Sequence, residues 1–293
     1  MKRRPWRTWL TAYAFLIPSL LVLGAFTFYP VVEAARLSLW RWRILRGDPV
    51  FIGLANYETL FSSADFWQAV GNTILFAVGS IPTSMILALF LALLLNRPLR
   101  GLAFYRTAYF LPTITSLVAV SVVWMWIYHP DVGLMNQLIG LVGLPPARWL
   151  NEPRTAMLSL IILGVWRGLG YNVIIYLGGL QSIPVHLYEA AKIDGANRLQ
   201  LLRYVTWPLL TPTSFFILII AVINSFQSFT QVHVMTQGGP IGSTTVIVYY
   251  LFQQAFQQFN MGYGSAVAMV LFVVILVLTI LQFGFLGKRV HYQ

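Results

Sequence analysis

Long uncharged apolar segments alternate with shorter polar ones along the whole chain. About 20 apolar residues are needed for a helix to cross a bilayer, and six segments are that long: 11–31, 71–95, 108–128, 156–180, 209–231 and 265–286. The last two lie in a stretch, Tyr204 to Gly287, that contains no Asp, Glu, Lys or Arg. The polar turn around Gly238-Gly239-Pro240 separates them. The pattern predicts an all-α protein in which residues 1–293 form a single transmembrane domain of six helices.

The composition supports a membrane protein and excludes several kinds of chemistry. Of the 293 residues, 58% are hydrophobic and 9% are charged, whereas a soluble domain carries roughly 25% charge. The chain has no Cys, which excludes disulfides and thiolate metal sites or nucleophiles. Its four His are scattered and no acid lies within a predicted span, so a metal or carboxylate active site inside the membrane is not indicated.

The basic residues predict the orientation of the spans. With the N-terminus in the cytoplasm, the inner segments hold Lys2, Arg3, Arg4, Arg7, Arg97, Arg100, Arg106, Lys192, Arg198, Arg203, Lys288 and Arg289. The outer segments hold only Arg36, Arg41, Arg43, Arg46, Arg148 and Arg154. This excess on one side is the positive-inside bias and predicts cytoplasmic N- and C-termini. It also accounts for the net charge of +11 without a nucleic acid partner, because the basic residues form no single patch.

One amphipathic segment interrupts the apolar second half of the chain. It covers residues 181–207, on the predicted cytoplasmic side between the fourth and fifth spans, and its pattern indicates two short helices. Pro184 suits the first position of the first helix, and Gly195 suits its end because glycine adopts positive φ readily. Asn197 is a suitable N-cap for the second helix, in which Leu199, Leu202 and Val205 form one apolar stripe. Pro208 then begins the fifth span.

This segment resembles the EAA signature of the membrane subunits of binding-protein-dependent ABC importers. The match consists of Glu189-Ala190-Ala191, Gly195 after three intervening residues, and Val205 with Pro208; Trp207 departs from the usual Leu. The stretches FLIPSLL, FIGLANYETLF, DFWQAVGNT, SFQSF and TQGGP extend the resemblance, towards the sugar and glycerol-phosphate (maltose-type) branch, over nearly the whole chain.

The resemblance implies a six-helix type I importer permease in the cytoplasmic membrane. Residues 181–207 would be the coupling loop that docks on a separate ATPase dimer, with Glu189 and Asp194 in polar contact, Ala190 and Ala191 allowing close approach, and Gly195 forming the turn. ATP and Mg would bind to those ATPase subunits, and the sequence itself has no GxxxxGK[ST] motif. A second permease, expected to be a different chain, and an extracytoplasmic solute-binding protein would complete the transporter.

Two polar clusters within the spans are candidates for the solute path. Arg167 is the only charged residue in a predicted crossing, and an arginine at that depth costs about 2.5–3.5 kcal/mol on insertion scales. It either bonds backbone carbonyls near Gly164, Gly168 and Gly170 or lines the path. The full candidate set adds aromatic and polar neighbours on the fourth span (Trp166, Tyr171, Asn172, Tyr176) and a polar ladder on the fifth (Asn224, Ser225, Ser228, Gln231).

Other transport mechanisms remain as alternatives. An ion-coupled secondary transporter of a small polar solute is disfavoured because all eight Asp and Glu lie outside the spans, although sodium binds to carbonyls and amides alone. A channel has no need for an EAA loop. The sequence does not identify the solute.

Overall fold

The computed structural model describes residues 6–44, 47–96 and 101–286. These residues are mostly helical and group into two compact units. Within the described ranges, the first comprises residues 6–44, 47–63 and 251–272, and the second residues 64–96, 101–250 and 273–286.

The first unit begins with a long apolar helix. Helix α1 (Trp6–Leu23) passes through a π-helical turn (Gly24–Phe28) into α2 (Tyr29–Ser38). Strands β1 (Trp40–Arg41) and β2 (Val50–Phe51) pair antiparallel and precede α3 (Ala55–Ser62). The Asn56 amide holds this corner together, because its Nδ2 donates to the carbonyls of Ser38 (2.7 Å) and Trp40 (3.0 Å).

The second unit contains most of the other helices. In chain order they are α4 (Ala64–Leu95), α5 (Leu102–Ile114), α6 (Leu117–Ile127), α7 (Leu134–Leu141), α8 (Pro153–Ser182), α9 (Val185–Ile193), α10 (Arg198–Leu201), α11 (Trp207–Leu209), α12 (Thr211–Phe226) and α13 (Thr230–Met235). Helices α14 (Ile247–Phe252) and α15 (Met261–Leu281) cross the boundary between the units.

Helix α8 lies at the centre of the second unit, where it packs against α4, α5 and α12. Small residues allow the close approach: a Cβ on Gly170 would lie 1.9 Å from the Tyr109 carbonyl oxygen of α5. Ala88 and Ala92 of α4 are fully buried in the same core. Without an apolar driving force between helices in lipid, such backbone proximity is how spans gain dispersion contacts.

The predicted spans are found as helices, with two differences in shape. The described residues contain five helices long and apolar enough to cross a membrane, or six if a bent pair counts as one span. That pair is α5 and α6, and the chain bends by 101° between them. The sequence instead predicts a single helix over 108–128. The fifth span, predicted over 209–231, is interrupted between α12 and α13. The two short strands were not predicted either.

The predicted orientation depends partly on residues that lie outside the described ranges. Lys2, Arg3, Arg4, Arg97, Arg100, Lys288 and Arg289 are among them, as is Arg46 of the outer set. The cytoplasmic location of the termini therefore stays a prediction.

Candidate functional site

The segment between α8 and α12 forms two capped helices joined by a tight turn, here called the hairpin (residues 185–209). Helix α9 ends with Gly195 at φ +82°, a conformation that a residue with a side chain adopts only at a cost. The Gly195 N–H donates to the Lys192 carbonyl (3.0 Å), and the Ala196 N–H donates to the Ala191 carbonyl (2.9 Å). This pair of bonds is a Schellman motif. The predicted role of Gly195 in ending the helix is confirmed.

Asn197 caps α10, as the sequence predicts. Its Oδ1 accepts from the N–H groups of Leu199 (3.1 Å) and Gln200 (3.0 Å), while Gln200 Oε1 accepts from the Asn197 N–H (2.8 Å). This reciprocal arrangement is a capping box. The prediction for Pro184 is off by one residue: its ψ of 131° is extended, so it is the N-cap and Val185 is the first helical residue.

Most of the predicted coupling residues lie at the surface of the hairpin. Glu189, Ala190, Asp194 and Gly195 are exposed, whereas Ala191, Val205 and Pro208 are half-buried. Large apolar side chains are exposed beside them, namely Val185, Ile193, Leu199 and Tyr204. The predicted stripe of Leu199, Leu202 and Val205 is not uniform, because Leu199 is exposed and the other two are half-buried. A π-helical segment (Leu202–Thr206) widens this turn and shifts the helical register there.

A hydroxyl pair connects the two helices of the hairpin. The hydroxyls of Tyr188 on α9 and Thr206 on the π-helical segment lie 3.1 Å apart. Thr206 is 4% exposed, and its Oγ1 also donates to the Leu201 carbonyl (3.2 Å). The Tyr188 ring packs on the core formed by α4, α8 and α12, which includes Leu180 and Leu210. The hairpin is therefore tied both across its turn and to the ends of two spans.

A cavity of about 660 Å³ lies within the second unit. Its walls come from α4, α5, α6, α8 and α12, and from the break between α12 and α13. The volume is within the usual 300–1,000 Å³ of small-molecule sites.

The wall formed by α8 carries Arg167, Tyr171 and Asn172. Asn172 is 6% exposed, and its Nδ2 is 3.4 Å from Ser84 Oγ of α4. The Arg167 guanidinium has no hydrogen-bond or ion-pair partner in residues 6–44, 47–96 and 101–286; its main-chain carbonyl accepts from Thr113 Oγ1 at 3.3 Å. The geometry thus gives the guanidinium no bond to the carbonyls near Gly164, Gly168 and Gly170.

Another part of the wall is the break in the fifth span. Helix α12 ends at Phe226, and Phe229 has φ −128° and ψ −57°, which is outside the helical region. Asn224, Ser225, Ser228 and Gln231 all line the cavity, and the amide of Gln231 donates to the Ser228 hydroxyl. These four residues therefore share the cavity surface although the helix that carries them is broken.

Two of the nine candidate path residues lie elsewhere. Trp166 stacks edge-on against Trp124 (ring centroids 5.5 Å apart), and Tyr176 is 1% exposed in the helix core. Conversely, several polar cavity residues were not predicted: Ser80, Ser84, Thr113 and Thr230. Gln227, in the same polar stretch as Ser225 and Ser228, lines the cavity as well. The serines and threonines of α4 and α5 gave no signal, because isolated hydroxyls in a span also bond their own helix, as Ser80 does to the Phe76 carbonyl at 2.6 Å.

Comparisons with known proteins assign the family. The model of the binding-protein-dependent transport system inner membrane component matches residues 80–292. The chain belongs to this family. It is 34% identical to an arabinooligosaccharide transport permease of Bacillus subtilis, over 94% of this chain and 88% of that one. It is 32% identical to an sn-glycerol-3-phosphate transport permease of Agrobacterium fabrum, over 96% of each chain.

A solved structure extends the match to the fold. It is a bacterial alginate ABC transporter in complex with a periplasmic protein that carries an alginate pentasaccharide; the TM-score is 0.82 at 26% identity, over 96% of each chain. The chain is therefore an ABC importer permease and a multi-pass membrane protein, a transport component rather than a catalytic one. The resemblance found in the sequence is confirmed. No cluster of three His, Asp or Glu that could hold a metal occurs in the described ranges.

Proposed function

We propose that this permease carries a sugar, oligosaccharide, polyol or glycerol-phosphate-like solute across the cytoplasmic membrane. The observation behind this proposal is the continuity between the hairpin and the cavity. Helix α8 enters the hairpin and α12 leaves it, and both helices line the cavity, α8 with Arg167, Tyr171 and Asn172 and α12 with Asn224 and Ser225. A partner that moves the hairpin therefore acts on both walls.

The hairpin is the docking element for an ATPase dimer in the cytoplasm. Its exposed apolar residues Ile193 and Leu199 suit a hydrophobic cleft, and Glu189 and Asp194 add polar contacts at the edge. Interfaces of this kind combine an apolar centre with a polar rim. ATP and Mg bind to the partner, and this chain contributes force transmission.

The cavity suits a solute with several hydroxyl groups. Asn224, Gln227 and Gln231 supply amides, and Tyr171 supplies a ring face and a hydroxyl. The relatives with named solutes, an arabinooligosaccharide and sn-glycerol 3-phosphate, support this chemistry. A solute-binding protein delivers the solute from outside, and a second, different permease completes the path.

Transport follows alternating access. ATP binding closes the ATPase dimer, the hairpin moves with it, and the cavity opens outward towards the docked binding protein. Hydrolysis reverses the movement and opens the cavity inward. Such rigid-body motion around a fixed site is common among transporters.

The coupling role is tested with two substitutions in the reconstituted transporter. Gly195→Pro demands φ near −65° where +82° is required and removes the N–H bonded to Lys192. Glu189→Lys reverses an exposed charge without disturbing the fold. Both are expected to reduce solute transported per ATP hydrolysed, with the subunit still inserted.

The matched control is Glu58→Lys, which reverses an exposed charge on α3. Normal transport in both hairpin mutants contradicts the coupling role. Transport by wild type without any ATPase subunit instead supports an ion-coupled mechanism.

A further inference from the structure

Among the described residues, Arg167 is the one charged side chain that lines the cavity. The other lining residues in the described part of the chain are aliphatic, aromatic, hydroxyl-bearing or amide-bearing. None of the eight Asp and Glu of the sequence contributes to the wall, and the one salt bridge found among the described residues joins Arg36 to Glu33. The Arg167 guanidinium thus has no counter-ion among the described residues.

The main chain holds Arg167 firmly. Thr113 Oγ1 donates to its carbonyl, and three residues further along α8 the Gly170 Cα lies directly against the α5 backbone at Tyr109. The backbone is thereby fixed while the guanidinium stays unbonded. Its five N–H donors remain available in a planar fork that matches a carboxylate or a phosphate.

We propose that the cavity selects an anionic solute, and that Arg167 is the residue that recognises its carboxylate or phosphate group. The inference rests on the proposed function and narrows its solute class to sugar acids, acidic oligosaccharides or sugar phosphates. The neutral amides of Asn224, Gln227 and Gln231 then face the hydroxyl groups. A fixed cation without an internal partner is most stable with an anion beside it, because a charge-assisted bidentate pair is stronger than neutral hydrogen bonds.

The solutes named for the relatives differ in charge, so the charge of this chain's solute is inferred from the residues of the cavity wall. One relative is named for sn-glycerol 3-phosphate and a solved relative imports alginate, an acidic polysaccharide, whereas another is named for arabinooligosaccharides. An anionic solute supplies the counter-ion that Arg167 lacks among the described residues of this chain.

The test uses the complete transporter in vesicles, with its own binding protein, ATPase and second permease. Uptake is measured for matched probes: digalacturonate against its methyl ester, and glycerol 3-phosphate against glycerol. We expect uptake of an anionic probe at least roughly tenfold faster than that of its neutral match, the size typical of a hydrogen bond to a charged group. Arg167→Gln should remove this preference, and Arg167→Lys should retain part of it. The affinity of either mutant transporter for the binding protein should equal that of wild type.

The control is Arg154→Gln, which removes the same charge from an exposed position on the same helix. The inference is overturned if Arg167→Gln prefers the anionic probes over their neutral matches as strongly as wild type does. The inference is also overturned if wild type shows no preference for anions and the second permease is lost from purified Arg167→Gln but kept in Arg167→Lys. In that case the counter-ion of Arg167 belongs to the second permease. Failure of every probe and of a wider solute screen to drive uptake counts against the proposed function itself.

Discussion

The hydroxyl pair between Tyr188 and Thr206 gives the sharpest prediction for the hairpin. If it fixes the angle between the two helices, Tyr188→Phe loosens the hairpin without changing its surface. A single intramolecular hydrogen bond contributes about 0.5–1.5 kcal/mol net. Thr206 Oγ1 keeps its second bond to Leu201 in this mutant, so no buried donor is left without an acceptor. The population of the hairpin with its two helices held at the native angle should therefore fall roughly two- to tenfold relative to the loosened hairpin, since 1.4 kcal/mol is tenfold.

Thr206→Val should be more damaging, because it removes the bond to Tyr188 and also the Thr206 bond to the Leu201 carbonyl. The substitution preserves shape at a position that is 4% exposed, but it leaves the half-buried Tyr188 hydroxyl unpaired. An unsatisfied buried group costs about 1–3 kcal/mol. In the double mutant Tyr188→Phe/Thr206→Val both groups are absent, so its cost should be smaller than the sum of the single costs.

The assay is amide hydrogen exchange of the hairpin, combined with the ratio of solute transported to ATP hydrolysed. Tyr204→Phe is the control, because it removes a tyrosine hydroxyl from an exposed position of the hairpin. The ring, whose centroid lies 5.7 Å from Arg203 Cζ, is kept in this mutant. The reasoning is refuted if Tyr188→Phe behaves like Tyr204→Phe, or if the two single costs add up fully in the double mutant.

Two further predictions concern stability. Gly170→Ala should destabilise the helix core by about 1–3 kcal/mol, because its Cβ meets the Tyr109 backbone, while Gly178→Ala on the same helix has open space; thermal unfolding of the purified subunit measures both. Asn197→Ala should cost about 0.5–2 kcal/mol through loss of the capping box, seen as faster amide exchange in α10. Equal unfolding temperatures for the glycine pair, or unchanged exchange in α10, contradict these assignments.

The sequence predicts local features of the hairpin well because they depend on local chemistry. Gly195 and Asn197 end and begin helices through bonds to residues within five positions, so neighbouring residues suffice. Span positions are likewise set by apolar length. The interruption between α12 and α13 has no such signal: no Pro or Gly occurs between Asn224 and Gln237, and the spacing of 224, 228 and 231 fits an ordinary helix. The bend at Thr115 had a weak signal in Pro112, which lies within α5.

The cavity could not be predicted as a whole because its walls come from separate helices. Packing alone distinguishes Trp166 and Tyr176, which face other aromatic and aliphatic groups, from Tyr171 and Asn172 beside them on α8. The hydrophobic pattern of a buried span does not separate a core face from a cavity face, since both are shielded from lipid.

The distances along α8 and α12 explain how one hairpin could serve both walls. At 1.5 Å per residue, Arg167 lies about 22 Å along α8 from its end at Ser182, and Asn224 lies about 20 Å along α12 from its start at Thr211. Measured along their helices from the hairpin, the two walls are thus at nearly equal depth. Helix α8 continues unbroken past this depth, whereas α12 stops there. A displacement of the hairpin would therefore carry the Arg167 wall as a rigid rod, while the break at residues 227–229 is where the other wall can change shape.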